Sequence, residues 1–311
     1  MPVRVGVVGC GWFGSAHARV YRTIGEAQLV AVMDIVEENA KRLAEIYHVN
    51  HYTSIEEMIR RESLDAVSIA VTPQYLFRAT KEALEAEASV LVEKPVVTSR
   101  EELSNLESLV KRADGVFMPG FIELFNPAVS MAKSLLDDEK IGKLLSIWSR
   151  RVGRLPKKSI GWKIGVSLDL AIHEMYVQHH IVGEAPSSVS SYTAKLLDGE
   201  GGEDLAIFLA RFPSGIVSTI ETNWLTPSGI REALIMGDEG SLIVNYPDQT
   251  VRIESSDRIE QPRIRRKEPL QGELAYFVEH VRKGDDPEIG IDLAKNVLNS
   301  LFEGLDNRLV S

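Results

Sequence analysis

The sequence has one cysteine, Cys10, in 311 residues. A single thiol excludes any intrachain disulfide and fits a reducing compartment. No apolar run approaches the roughly 18 to 20 residues of a membrane span, so the reading expects no membrane partner. The chain also lacks an excess of positive charge. Its formal net charge is −10, whereas a nucleic-acid or anionic-membrane surface needs a basic footprint. No spaced set of histidines, cysteines and carboxylates suggests zinc, and no metal is expected. There is no internal repeat and no low-complexity segment. The first strand pattern begins within a few residues of Met1, so the reading expects no signal peptide and a cytoplasmic location. The length suggests two domains.

The first part of the chain alternates strand and helix patterns. "RVGVVG" (4–9), "QLVAVMD" (28–34), "LDAVSIAV" (64–71), "SVLVEKP" (89–95) and "VFMPGFI" (116–122) are short apolar runs separated by helical stretches. Near-continuous apolar strands with intervening helices indicate an α/β fold: a doubly wound parallel sheet covered on both faces. From about residue 122 the rhythm changes. One helix follows Asn126-Pro127, and another is expected from about Ser167 to Val182. Six strands then crowd together between 187 and 255, joined by turns such as Phe212-Pro213-Ser214-Gly215. This is an α+β domain with a large, mainly antiparallel sheet. The expected division is 1–121 for nucleotide binding and 122–311 for substrate binding and oligomerisation.

Gly9-Cys10-Gly11-Trp12-Phe13-Gly14 is a G-x-G-x-x-G loop that follows a strand and opens a helix, and Asp34 closes the second strand 20 residues after Gly14. That is the dinucleotide fingerprint in its required context. Gly9 allows the tight turn, Gly11 lets backbone approach a pyrophosphate, and Gly14 lets the helix sit close to the strand. The helix N-terminus supplies free N–H groups. Asp34 is placed to bind the adenosine ribose and to repel a 2′-phosphate, which favours NAD over NADP. Cys10 is read as a small filler, not a redox group.

Two further constellations stand out. Glu93-Lys94-Pro95 ends a strand at the carboxyl edge of the sheet, where ligands bind. Pro95 ends the ladder and an X-Pro bond can be cis. Lys94 is a candidate proton acceptor, and Glu93 a partner for the cofactor or for the lysine. In "SLDLAIHEMY", Asp169 and His173 are i and i+4 on one helix face, embedded among apolar residues. His179 and His180, later on that helix, are read as surface residues. Arg151 and Arg154, with Arg150, Lys157 and Lys158, form the densest basic stretch and are candidate ligands for a substrate phosphate.

These pieces together resemble the Gfo/Idh/MocA family of sugar and polyol oxidoreductases. The matching residues are the glycine loop, Asp34, Thr72-Pro73, Glu93-Lys94-Pro95, "GFIELFNPAV" (120–129) and Asp169-x-x-x-His173. The resemblance implies that Trp12, Phe13, Thr72, Pro73 and Glu93 join the glycines at the cofactor, with Lys94, Asp169 and His173 as catalytic residues. "RRVGRLP", "VSLDLAIHEM", "ETNWLTP" and "KEPLQGEL" resemble, more narrowly, the branch that oxidises UDP-N-acetylglucosamine to a 3-keto sugar. Three departures remove polar groups the family often carries: Phe77, Leu124 and Tyr176. The implied partner is a small-molecule sugar or sugar nucleotide. A free-sugar or inositol-type dehydrogenase is the alternative in the family, and a non-catalytic NAD-binding sensor the alternative outside it. Apolar residues on both faces of strands 203–213 and 215–225, such as Ile207, Leu209, Ile216, Val217 and Ile220, lead the reading to expect a homodimer or homotetramer.

Overall fold

The computed structural model describes residues 1–154, 163–198 and 201–309. They form two compact units. One comprises Met1–Phe121 with Leu270–Lys295, the other Ile122–Pro269 with Asn296–Ser311. The segment Leu270–Lys295 departs from the two-way division of the chain at 121/122, because the chain returns to its first unit before it ends.

The first unit holds a parallel sheet of β1 (Val3–Val8), β2 (Ala27–Met33), β3 (Asn50–Tyr52), β4 (Ala66–Ile69), β5 (Ser89–Glu93) and β6 (Phe117–Gly120), in the order β3-β2-β1-β4-β5-β6. Every residue of β4, β5 and β6 is buried, as expected for strands covered on both faces. The helices are α1 (Trp12–Tyr21), α2 (Glu37–Tyr47), α3 (Ile55–Glu62), α4 (Leu76–Glu85), α5 (Arg100–Val110) and, in the returning segment, α8 (Pro269–Lys283). Ser54 and Ser99 cap α3 and α5 by accepting the amides of Glu57 and Glu102, which satisfies donors that helix geometry leaves unpaired. The strand order reverses between β1 and β4. The carboxyl ends of β2, β1, β4 and β5 therefore form one continuous edge beside the reversal, the place where such sheets bind ligands.

The second unit is built on eight strands: β7 (Leu144–Val152), β8 (Ser188–Ala194), β9 (Leu205–Arg211), β10 (Val217–Asn223), β11 (Ile230–Gly237), β12 (Ser241–Asn245), β13 (Thr250–Glu254) and β14 (Ile259–Glu260). Their order is β14-β13-β12-β11-β7-β10-β9-β8. All pairings are antiparallel except β7 with β10, which run parallel. One face buries Phe208, Ile220, Ile147, Ala233, Ile235, Leu242 and Val244. Against it lie α6 (Pro127–Asp137), α7 (Ile172–Val182) and the later part of α9 (Ile291–Asp306). Asn126 caps α6 by accepting the Ala128 amide at 3.0 Å. Gly304 of α9 lies so close to β9 that an added Cβ would meet the Phe208 ring at 2.7 Å.

The other face of the sheet is apolar and open. Trp148, Tyr192, Leu209 and Val217 are each between 42% and 49% exposed. Register aligns Leu209, Thr219, Trp148, Leu234 and Ile243 in one row across five strands. Leu209 and Val217 thus point outward, whereas Ile220 faces the core. Among the described residues no helix is long and apolar enough to cross a membrane, and no group of three or more His, Cys, Asp or Glu is placed to hold a metal ion.

Candidate active site

The nucleotide half lies in the first unit. Gly9 leaves β1 with φ of 94°, and a Cβ there would meet Ala70 O at 2.6 Å. A Cβ on Gly14 would meet Gly9 O at 1.7 Å. Both positions admit only glycine, one through backbone conformation and one through close approach. Gly11 has open space where a side chain would sit and is the N-cap of α1. The loop therefore offers a cradle with room for a phosphate at the N-terminus of α1. Asp34 braces it: its Oδ2 accepts the Cys10 amide at 2.8 Å and its Oδ1 the Val36 amide at 2.9 Å. Each carboxylate oxygen has further acceptor capacity, so a ribose diol fits beside these bonds. Trp12 is 69% exposed and stacks on Phe13, centroids 5.4 Å apart. The Cys10 thiol is buried, and burial together with the Asp34 carboxylate pushes it up to about 12, which keeps it an inert thiol.

Thr72 and Pro73 open a short 3-10 turn beyond β4. At the end of β5, the Lys94–Pro95 bond is cis. The Val96 amide donates to Glu93 O at 3.0 Å, and Val96 takes φ of 74°, a conformation a β-branched residue rarely adopts. Lys94 is half-buried within this turn. Glu93 is 5% exposed, and its Oε1 is 3.0 Å from His17 Nε2 on α1. Its carboxylate thus ties the lysine strand to the helix that begins at the glycine loop.

The second constellation lies in the second unit. Asp169 sits in a π-helical turn, Ser167–Ala171, that runs directly into α7. Glu203 anchors the turn, its backbone carbonyl accepting the Val166 amide at 2.8 Å and its Oε1 the Ser167 amide at 3.0 Å. Asp169 Oδ2 accepts the Trp224 indole N–H at 3.2 Å. His173 keeps 8% exposure, and its Nδ1 lies 2.7 Å from the Tyr176 hydroxyl. α7 is enclosed along almost its whole length, and its polar side chains are paired as burial demands. Gln178 donates to Ser149 Oγ at 3.0 Å, and His179 Nε2 lies 3.3 Å from Ser300 Oγ. The expectation that His179 is a surface residue is therefore corrected. Desolvation pulls its ring down to about 4 and keeps it neutral, while His180 is exposed as expected.

The structure also gives Arg151 a different role. It is 2% exposed, and its Nε donates to Glu174 Oε1 at 2.7 Å and its Nη2 to Glu123 Oε1 at 2.9 Å. Glu123 Oε2 accepts from Asn126 at 2.9 Å, and Glu174 Oε2 from the Tyr246 hydroxyl at 2.8 Å. The guanidinium lies 5.2 Å from the Tyr246 ring centroid. Burial alone raises the Glu123 carboxyl, but Arg151 and Asn126 outweigh it and hold it below the usual range. The phosphate-ligand expectation for Arg151 is corrected on these grounds: its charge is spent on two enclosed carboxylates. Arg154 is exposed. Lys157 and Lys158 fall outside the described residues. Of the three departures, Leu124 and Tyr176 are buried and Phe77 is half-buried. The sequence reading missed Trp224, Glu123, Glu174 and Tyr246. Three of them lie within motifs singled out for the resemblance, Glu123 in "GFIELFNPAV", Glu174 in "VSLDLAIHEM" and Trp224 in "ETNWLTP", but none was given a role.

A Rossmann unit with a fitted dinucleotide cradle, joined in one chain to a sheet domain bearing an Asp-His pair, defines a nicotinamide-dependent oxidoreductase. Comparison with known proteins agrees. Residues 3–121 match the Gfo/Idh/MocA oxidoreductase family's NAD-binding Rossmann fold, and residues 129–243 match its C-terminal domain. The chain belongs to the Gfo/Idh/MocA family and binds NAD. Among its relatives, myo-inositol 2-dehydrogenase of Thermotoga maritima is 25% identical over 95% of this chain and 93% of the relative. The NAD-dependent scyllo-inositol 2-dehydrogenase of Bacillus subtilis is 28% identical over 98% and 96%. The solved structure of UDP-N-acetylglucosamine 3-dehydrogenase GnnA from Acidithiobacillus ferrooxidans superposes with a TM-score of 0.87, at 22% identity over 99% of this chain and 98% of that one.

Proposed function

We propose that this chain is an NAD-dependent dehydrogenase that oxidises a secondary hydroxyl of a sugar or polyol. The observation that carries the reading is the Asp169–His173 pair, held on one face of an enclosed helical run with Trp224 fixing the carboxylate. Bound NAD supplies the hydride acceptor, C4 of its nicotinamide. The chain supplies the rest. Gly9 to Gly14 and Asp34 fix the cofactor, Lys94 or His173 receives the hydroxyl proton, and Asp169 orients the hydroxyl or the imidazole. One positioned base contributes ~10²–10⁴-fold.

The finer reading is a UDP-amino sugar, UDP-N-acetylglucosamine or a close relative, oxidised to the 3-keto sugar. The motifs shared with that branch and the exposed Arg154 support it. A second reading, a free sugar or inositol, is favoured by the burial of Arg151 between two carboxylates, which leaves one cation fewer for a pyrophosphate. The inositol dehydrogenases among the relatives support it too. NADH formation with UDP-N-acetylglucosamine, then with myo- and scyllo-inositol and free hexoses, tests both. Turnover of the UDP-sugar alone, with a KM that rises in Arg154→Ala, establishes the first reading, and turnover of the polyols alone the second. NAD binding without turnover of any sugar or polyol overturns the dehydrogenase reading.

A further inference from the structure

Arg231 is the second residue of β11, and the pleat decides which side it takes. Ala233 is 2% exposed and Ile235 is fully buried, so alternate side chains of this strand face the helices, and Arg231 leaves the sheet on that side. It is the side on which α7 lies. Register sets Arg231 directly opposite Arg151 of β7, and its carbonyl accepts the Tyr246 amide at 3.2 Å. Like charges paired across strands repel. The surroundings of the two arginines differ. Arg151 is enclosed between Glu123 and Glu174, whereas Arg231 is exposed.

Among the described residues the Arg231 guanidinium has no hydrogen-bond or ion-pair partner. Glu123 and Glu174 direct their oxygens to Arg151, Asn126 and Tyr246, and Asp169 directs one to Trp224. Arg231 feels these charges without touching them. Crowding by protein atoms lowers its pKa first and the Arg151 charge second, against the weaker pull of Glu123, Asp169 and Glu174. The guanidinium stays charged all the same. A group that is open to water and also crowded by protein lines a concave surface. This one lies on the side of the second unit that carries Asp169. A carboxylate or phosphate accepts two parallel N–H bonds from such a planar fork and offsets the repulsion from Arg151. A neutral hydroxyl accepts a bond and leaves the repulsion in place.

We propose that Arg231 is a specificity-determining residue that holds an anionic group of the substrate, so that the chain acts on a charged sugar and not on a neutral polyol. This deepens the dehydrogenase reading above and rests on it. The chemistry is that of an oxyanion, and two kinds of substrate carry it: a nucleotide sugar through its phosphates and a sugar acid through its carboxylate. Arg231 thus provides the cation that the enclosure of Arg151 takes away. It cannot give up its proton, so it takes no part in proton transfer and its contribution is to binding.

The test loads the whole chain with NADH, so that no alcohol is turned over, and titrates it by calorimetry with UDP-N-acetylglucosamine, D-glucuronate and myo-inositol. At least one of the two anions is expected to bind the wild type, and more tightly than myo-inositol. Arg231→Met should weaken that anion at least about tenfold, the scale of one charge-assisted hydrogen bond. Arg231→Lys, which keeps the charge but not the fork, should fall between the two. Raising ionic strength should weaken the anion in the wild type and far less in Arg231→Met. The anion that binds more tightly identifies the source, phosphate or carboxylate. Thermal melting separates a binding role from a structural one. Arg231→Met should melt within about 4 °C of the wild type, because no ion pair is lost; a larger fall, or failure to fold, makes Arg231 a structural cation and overturns the proposal. It is overturned too if neither anion binds the wild type, if myo-inositol binds more tightly, or if Arg231→Met weakens the anion by less than that tenfold. NADH formation from no sugar or polyol, with the anion still held through Arg231, would refute the dehydrogenase reading and leave the anion contact standing.

Discussion

Arg151→Met should damage the second unit far more than any binding step. The substitution removes one cation and leaves two enclosed carboxylates, Glu174 fully buried and Glu123 7% exposed. Each keeps a single donor, Tyr246 on Glu174 and Asn126 on Glu123. Removing one partner from a buried ion pair costs ~3–5 kcal/mol, because an uncompensated charge stays behind. At about 2–4 °C per kcal/mol for a unit of this size, the melting temperature should fall by roughly 6–20 °C. The pH dependence gives a second signature. In the wild type, Arg151 holds the Glu123 carboxyl low against its burial. That contribution is present above the ordinary carboxylate range and is lost as pH falls through the depressed value. Without the arginine, only the Asn126 hydrogen bond and the Arg231 charge remain to oppose the burial of the Glu123 carboxyl, so mild acid should narrow the gap between variant and wild type. Glu123→Gln and Glu174→Gln added to Arg151→Met should recover much of the loss, since no charge is then stranded. Urea unfolding at neutral and mildly acidic pH measures all of this. A variant within about 1 kcal/mol of wild type at both pH values, well below the loss expected for a broken buried pair, would refute the reasoning and return Arg151 to the candidates for a phosphate ligand.

Three further outcomes follow from the same structure. Lys94→Ala should lower kcat at least ~100-fold, the low end for a lost general base, while NAD titration shows affinity largely retained; near-normal turnover would make the lysine a bystander. Asp34→Ser should weaken NAD binding and relax discrimination against NADP, because the carboxylate's repulsion of a 2′-phosphate is gone; a wild type that already prefers NADP would contradict this. The open sheet face should assemble the chain into a homodimer or homotetramer, which light scattering at micromolar concentration detects, and Trp148→Glu with Leu209→Glu should shift the mass toward monomer.

Legibility followed the kind of signal each element carries. The glycine loop, Asp34 and the apolar strands of the first unit were readable because backbone demands and double-sided burial leave marks on single residues. β3 escaped because its three residues, Asn50, His51 and Tyr52, present no apolar run. α3 carried a cap at Ser54 and apolar positions at Ile55, Met58 and Ile59, but its short, highly charged span masked them. His179 and Arg151 were misplaced for a common reason. Polar residues enclosed by partners distant in sequence look like surface residues, since the partner, not the residue, makes burial tolerable. Tyr176 was noticed only for what it replaced. Its hydroxyl gains meaning from an amide 53 residues earlier, which no local pattern could announce.

The placement of β7 sets the order in which its sheet can be assembled. It is the first of the eight strands in the chain, yet it lies between β10 and β11, which are made much later. The ribbons β8-β9-β10 and β11-β12-β13 consist of neighbours in sequence, joined by short turns except for the longer connection between Ala194 of β8 and Leu205 of β9. β7 joins them only after long loops close, and its parallel register with β10 cannot arise from a hairpin. Assembly of this unit should therefore wait on one late, non-local docking event. The same event carries Arg151 to Glu174 on α7, so sheet closure and neutralisation of the interior happen together. Variants that slow the docking of β7 should prolong the lifetime of two loose ribbons with unpaired edges, the species most prone to aggregate during refolding.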